Sequence, residues 1–168
     1  MGNVRGRLGG DIGGFDIYCE YQDGTLNGRI GGELRGGDIR LEYDEADGRL
    51  TGRIGGEILG KDVNLTCTPD TIEGRVGGIL IGVDVSLRGD ADAFSGRTGG
   101  VLVGFETHLE NQNGVVVGRT GGGVIGKDVR VSFDDDVPFC LVAAVTVLLR
   151  YHYDELHKSG GSSSGDKH

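Results

Sequence analysis

The chain has 168 residues, of which 35 are glycine and only 2 are proline, and its formal net charge is −9. The glycines are periodic, so neither collagen nor a flexible linker is implied, and the length suffices for one domain with its own core. The acidic balance disfavours polyanions, so neither nucleic acid nor an anionic membrane surface is expected as a partner.

No charged start followed by an apolar core opens the chain, so no signal peptide is expected. One unit then recurs. Gly-Arg stands at Gly6-Arg7, Gly28-Arg29, Gly52-Arg53, Gly74-Arg75, Gly96-Arg97 and Gly118-Arg119, at spacings of 22, 24, 22, 22 and 22 residues. A Gly-Gly pair follows each, and then a further glycine at Gly14, Gly36, Gly60, Gly82, Gly104 and Gly126. Two residues later comes an acid: Asp16, Asp38, Asp62, Asp84, Glu106, Asp128. A fixed period of this kind governs the whole fold. The third copy, GRIGGEILGKDV over 52–63, looks like a phosphate loop. However, Asp62 rather than Ser or Thr follows Lys61, no helix pattern follows, and only two copies carry the lysine, so nucleotide binding is not expected.

Each repeat predicts two strands. In the second, Leu26, Ile30 and Leu34 share an apolar face with Ile39 and Leu41. In the third, Leu50, Gly52, Ile54, Gly56 and Ile58 alternate with Thr51, Arg53, Gly55 and Glu57, and Val63 and Leu65 follow the turn. In the fourth, Ile72, Val76 and Leu80 go with Val85 and Leu87. Asp23-Gly24, Asp47-Gly48 and Asn113-Gly114 separate successive repeats and signal two-residue primed turns. Hairpins at both ends of every strand predict an antiparallel up-and-down meander of about twelve strands. The alternative is a β-solenoid with a C-terminal helical cap, which does not call for primed turns at every corner. The inward rows read large, Gly, large, Gly. Such glycines either bend the sheet or leave a channel for an element packed against it.

That element follows the sixth repeat. After Asp134-Asp135-Asp136 and Val137-Pro138, a helix is expected over about 138–157, with Pro138 in its first turn and the acids at its N-terminus. From Phe139 to Leu149 only Thr146 is polar, so the helix must be surrounded on every side. It is too short for a membrane span of about 20 residues, and Arg150, His152, Asp154 and Glu155 belong at a watery mouth. Twelve strands tilted near 40° close into a barrel of radius roughly 11 Å, wide enough for one axial helix and a layer of side chains. The expected architecture is therefore mainly β: a closed barrel of six hairpin repeats with a C-terminal apolar α-helix through its centre. One domain is drawn over 1–158. Residues 159–168, SGGSSSGDKH, read as a flexible polar tail.

A twelve-stranded antiparallel barrel threaded by a C-terminal apolar helix resembles the tubby-like architecture shared with the phospholipid scramblases. The resemblance covers the layout of residues 4 to 157 and carries no individual residue over. It implies a lipid-associated role, with phosphoinositides held by basic patches.

The remaining residues are read for chemistry. The six arginines and six acids of the motif fall on the outer face and are expected to form charged belts that pair across strands. Asp11 with Asp16, Glu33 with Asp38, and Glu57 with Asp62 could offer oxygens to calcium. The pattern fails where Ile79, Val101 and Gly123 replace the first acid, so a solvated rim is expected. His108 has Glu106 and Glu110 as same-face neighbours but no nucleophile near it. His152 and His157, five apart, are not spaced to share a metal on a helix. Cys19, Cys67 and Cys140, odd in number and in apolar contexts, suggest reduced buried thiols in a cytoplasmic compartment, with Cys140 inert. An enzyme at a barrel mouth near His152 and Asp154 is the least favoured reading. The expectation is a non-enzymatic structural or interaction module: a monomer without cofactor or metal, with an unknown protein partner.

Overall fold

The structure, a computed structural model, describes residues 1–9, 15–31, 36–55, 60–78, 80–100, 104–121 and 126–165, with side chains described as far as residue 156. The strands are β1 (Gly2–Leu8), β2 (Phe15–Gln22), β3 (Thr25–Ile30), β4 (Gly37–Asp44), β5 (Arg49–Ile54) and β6 (Lys61–Thr68), then β7 (Thr71–Gly77), β8 (Gly82–Gly89), β9 (Ala93–Gly99), β10 (Gly104–Asn111), β11 (Val115–Thr120) and β12 (Lys127–Phe133). A single helix, α1 (Phe139–Gly165), follows. Each strand pairs antiparallel with its sequence neighbours, and β1 pairs with β12 to close the ring. The solenoid alternative is set aside, because it needs parallel pairing and every pairing here is antiparallel.

Alternation decides which side faces the lumen. In β4, Gly37, Ile39, Leu41 and Tyr43 are buried while Asp38, Arg40, Glu42 and Asp44 are exposed. The lumen is filled by α1. Every residue from Cys140 to Tyr151 is buried, and the helix touches β1, β2, β6, β7, β10, β11 and β12, strands on opposite sides of the ring. Burial on all sides suits a segment with no polar face. Thr146 satisfies its hydroxyl within the helix, donating to the Val142 carbonyl at 2.8 Å. The chain leaves β12 at the end of the barrel that carries the short inter-repeat turns. So α1 starts at this turn end and emerges at the opposite, glycine end. Its assigned range passes the boundary drawn at residue 158, with side chains beyond 156 outside the described part.

Three local expectations need correction. First, Asp23-Gly24 and Asn113-Gly114 are primed turns with positive φ at both positions, 52° and 79°, and 55° and 89°. Asp47-Gly48 is not: β4 and β5 are joined by four residues, with Gly48 N–H bonded to the Asp44 carbonyl at 2.8 Å and only Gly48 left-handed. The two extra residues in this repeat's spacing make the longer loop. Second, the acids before α1 do not sit in its first turn. Asp134 accepts from Asn3 N–H at 2.8 Å, and Asp136 pairs with the N-terminal amine at 3.2 Å. They tie the first strand to the crossover into the lumen. Third, Leu80 does not continue the inward row of β7. Gly77 takes φ +96°, the strand ends, and Gly78 N–H closes the tip on the Ile81 carbonyl at 2.7 Å. Leu34, Gly56 and Ile58, expected on the same rows, lie outside the described residues.

The mid-wall glycines let adjacent strands approach closely. Gly52 has φ +149°, and a β-carbon there would strike the Arg40 carbonyl oxygen and the Leu41 Cα of β4. In each of the six repeats the glycine before the arginine meets the backbone of an adjacent strand in this way. Among the described glycines, those beside the helix lie at the glycine end, Gly37 and Gly55 against the His152 ring and Gly121 against the Arg150 guanidinium.

Candidate functional site

The outer wall carries the repeated charges. Register places each motif arginine opposite its own repeat's acid: Arg7 and Asp16, Arg29 and Asp38, Arg53 and Asp62, Arg75 and Asp84, Arg97 and Glu106, Arg119 and Asp128. All six form ion pairs of 2.6 to 3.1 Å. Among the described residues, four guanidinium groups also reach a glycine carbonyl of their own tip: Arg53 to Gly60 at 3.1 Å, Arg75 to Gly78 at 3.0 Å, Arg97 to Gly100 at 2.7 Å and Arg119 to Gly126 at 3.4 Å. The motif thus ties each glycine-rich tip to the wall. Rows such as Asp38, Arg40, Glu42 and Asp44 on the outer face of β4 are the reverse of a lipid-facing apolar band. No helix is long and apolar enough to cross a membrane among the described residues.

His108 sits on this outer wall. Its Nδ1 lies 2.6 Å from Ser95 Oγ and its Nε2 3.8 Å from Glu110, in an exposed position. Of the expected calcium acids, Asp11, Glu33 and Glu57 fall outside the described residues, as does the side chain of His157. Their intended partners Asp16, Asp38 and Asp62 are held by arginine. Among the described residues no cluster of three or more His, Cys, Asp or Glu could hold a metal.

At the glycine end, the helix turns polar inside the wall. Arg150 is buried, pairs with Asp154 at 2.9 Å, donates to the Thr120 carbonyl at 2.5 Å and to Thr120 Oγ1 at 3.2 Å, and lies 5.3 Å above the Phe105 ring. Thr98 and Thr120 are buried where other repeats carry Ile30, Ile54 or Val76, and Thr107, on the strand between them, is buried where others carry Ile17, Ile39 or Val63. Thr98 Oγ1 and Thr107 Oγ1 make no hydrogen bond. His152 packs 5.9 Å from Phe15, and burial holds its pKa below the ordinary value against the opposing pull of Glu155. Beside this mouth the tip between β7 and β8 exposes Leu80 at 95% and Ile81 at 76%. They line a cavity of about 670 Å³ with Arg53, Lys61, Asp62 and Gly77. Other than Met1 and Tyr18, these are the exposed large apolar residues among those described.

The turn end holds a buried thiol cluster. Tyr43 Oη donates to the Cys67 carbonyl at 2.7 Å and lies 3.4 Å from Cys140 Sγ. Burial, reinforced by the neighbouring Cys140, raises the phenol pKa. Cys140, the second residue of α1, lines a cavity of about 580 Å³ opening at this mouth.

Neither site was legible beforehand. Leu80 looked like one more strand residue, and the signal against it was the Gly-Gly pair ahead of it. Cys140 looked inert inside a greasy helix, although its position two residues after Pro138 marks a helix N-terminus, where thiols are activated.

The chain matches no family model, and comparison with the curated proteins and with the solved structures finds no match either.

Proposed function

We propose that the protein is a non-enzymatic interaction module, with the glycine end of the barrel as its docking face for an apolar peptide segment of a protein partner. The exposure of Leu80 and Ile81 beside a cavity carries this reading. A soluble fold has no reason of its own to hold two large aliphatic side chains in water at a tip. Full burial of each against a partner is worth about 1.5–3 kcal/mol. Arg53, Lys61 and Asp62 around the cavity supply a polar rim that would orient the partner, as in other interfaces. The rigid wall presents the tip with little conformational cost on binding. Three buried reduced thiols suit a reducing compartment such as the cytoplasm.

Peptide display against the immobilised protein tests the proposal. Selected sequences should be apolar, and their affinity should fall at least about tenfold on Leu80→Asp with the circular dichroism spectrum unchanged; tenfold corresponds to about 1.4 kcal/mol. Binders indifferent to Leu80→Asp, or turnover abolished by one point mutation, would sink it. Liposome flotation distinguishes the lipid-associated role implied by the tubby-like resemblance: protein that floats and is released by Leu80→Asp makes a bilayer the occupant instead.

A further inference from the structure

Cys67 projects from β6 into the lumen and Cys140 from the first turn of α1, so a link between them would join wall to filling. Their contact is direct, with the Cys67 thiol hydrogen-bonded to Cys140. Tyr43 O–H donates to the Cys67 carbonyl at 2.7 Å, and its oxygen lies 3.4 Å from Cys140 Sγ, where either atom can donate. Both sulfurs are buried, yet Cys140 also lines the cavity at the turn end, beside Pro69, Phe133 and Phe139. A small polar reagent therefore reaches Cys140 first and finds Cys67 behind it.

We propose that Cys67 and Cys140 are a redox-active dithiol, oxidised by a small hydroperoxide entering through the turn-end cavity to a disulfide that staples α1 to β6. This site is independent of the docking face proposed above. Cys140 is the attacking sulfur. The hydrogen bond from Cys67 pulls its pKa below the ordinary thiol value, helped by Tyr43 and the Leu141 amide at the helix N-terminus and opposed by burial. Cys67 is pushed the other way by the same hydrogen bond, with burial adding to it. The Cys140 thiolate attacks the distal peroxide oxygen, the O–O bond breaks, and hydroxide (or alkoxide) leaves and takes up the thiol proton. The product is a Cys140 sulfenic acid. Cys67 sulfur then attacks Cys140 sulfur, the S–O bond breaks, and the departing hydroxide takes the Cys67 proton. Two thiols and one hydroperoxide give one disulfide, one water and one alcohol or second water. Cys19 is an internal control: it is fully buried, burial pushes its thiol up to about 12, and it does not line the cavity.

Tryptic fragments 8–29, 62–75 and 131–150 each carry one cysteine, so the pairing is read directly. The folded full-length protein is treated with hydrogen peroxide, then unfolded in iodoacetamide and digested. The expected result is a linked 62–75/131–150 pair, reversed by dithiothreitol, with Cys19 alkylated. In Cys67→Ser, dimedone should trap Cys140 as a sulfenic acid adduct, and in Cys140→Ser, Cys67 should stay alkylatable. Three alkylated cysteines after peroxide, a link to Cys19, or a Cys140 sulfinic acid with Cys67 free would each overturn the proposal. The map of the unsubstituted protein decides it even if a variant does not fold.

Discussion

Gly52 illustrates how a residue type is chosen by a neighbour's backbone. Its left-handed φ and the approach of Arg40 and Leu41 both refuse a side chain, so Gly52→Ala should destabilise by about 1–3 kcal/mol, the usual range for overpacking. Gly78 is the contrast, because its nearest obstacle is the Ile81 carbonyl oxygen at 3.7 Å. Gly78→Ala should stay within about 0.5 kcal/mol, as surface substitutions usually do. Urea midpoints of the two variants compare them, and equal midpoints would remove the close-approach explanation. His152 makes a prediction in pH. Burial depresses its folded pKa, so the unfolded chain binds a proton that the folded one resists. Its stabilising contribution is complete above the ordinary value of 6.5 and is lost as pH falls through and below it. His152→Gln should therefore flatten the fall in urea midpoint between pH 7 and pH 5, and an unchanged slope would assign the fall to other groups.

The hairpin repeat is a device for holding a tip to a strand pair. Its arginine spans a carboxylate on the next strand and a carbonyl in the tip, as Arg53 does with Asp62 and Gly60. The pair is exposed, so its coupling should be small: a double-mutant cycle on Arg53 and Asp62 should give about 0–1 kcal/mol, shrinking as salt is added. A coupling well above that would make the belt a main source of stability. Register is well served by charge here, because a slip of one residue would set arginine beside lumen-facing aliphatics. Expectation and structure parted where the alternation stopped. The period-two pattern carried Leu80 along because hydrophobicity is blind to backbone handedness. The left-handed Gly77 turned the chain out of the sheet and put Leu80 in water. Asp134 to Asp136 misled in a similar way: acids before a helix suit its dipole, but Asn3 and the N-terminal amine were nearer.

For the molecule as a whole, wall and filling depend on each other. Twelve strands line a lumen with Leu8, Leu26, Leu41, Leu65 and Leu87, and α1 covers them all. A chain ending at residue 136 should aggregate or lose its cooperative unfolding, measured by size exclusion and thermal circular dichroism. A soluble truncated protein that melts as sharply as the parent would mean the wall closes without the helix. The repeat spacing, the uninterrupted apolar segment and the alternation within each strand together implied a closed ring of hairpins around a helix, because periodicity and amphipathicity are local properties written along the chain. Contacts between distant positions were invisible in it. The meeting of Cys67, Cys140 and Tyr43, the contact of Arg150 with Thr120, and the exposure of Leu80 arise from closure of the ring and the depth at which the helix lies. Closure and depth are settled by the packing of all twelve strands at once, so no single repeat could announce them.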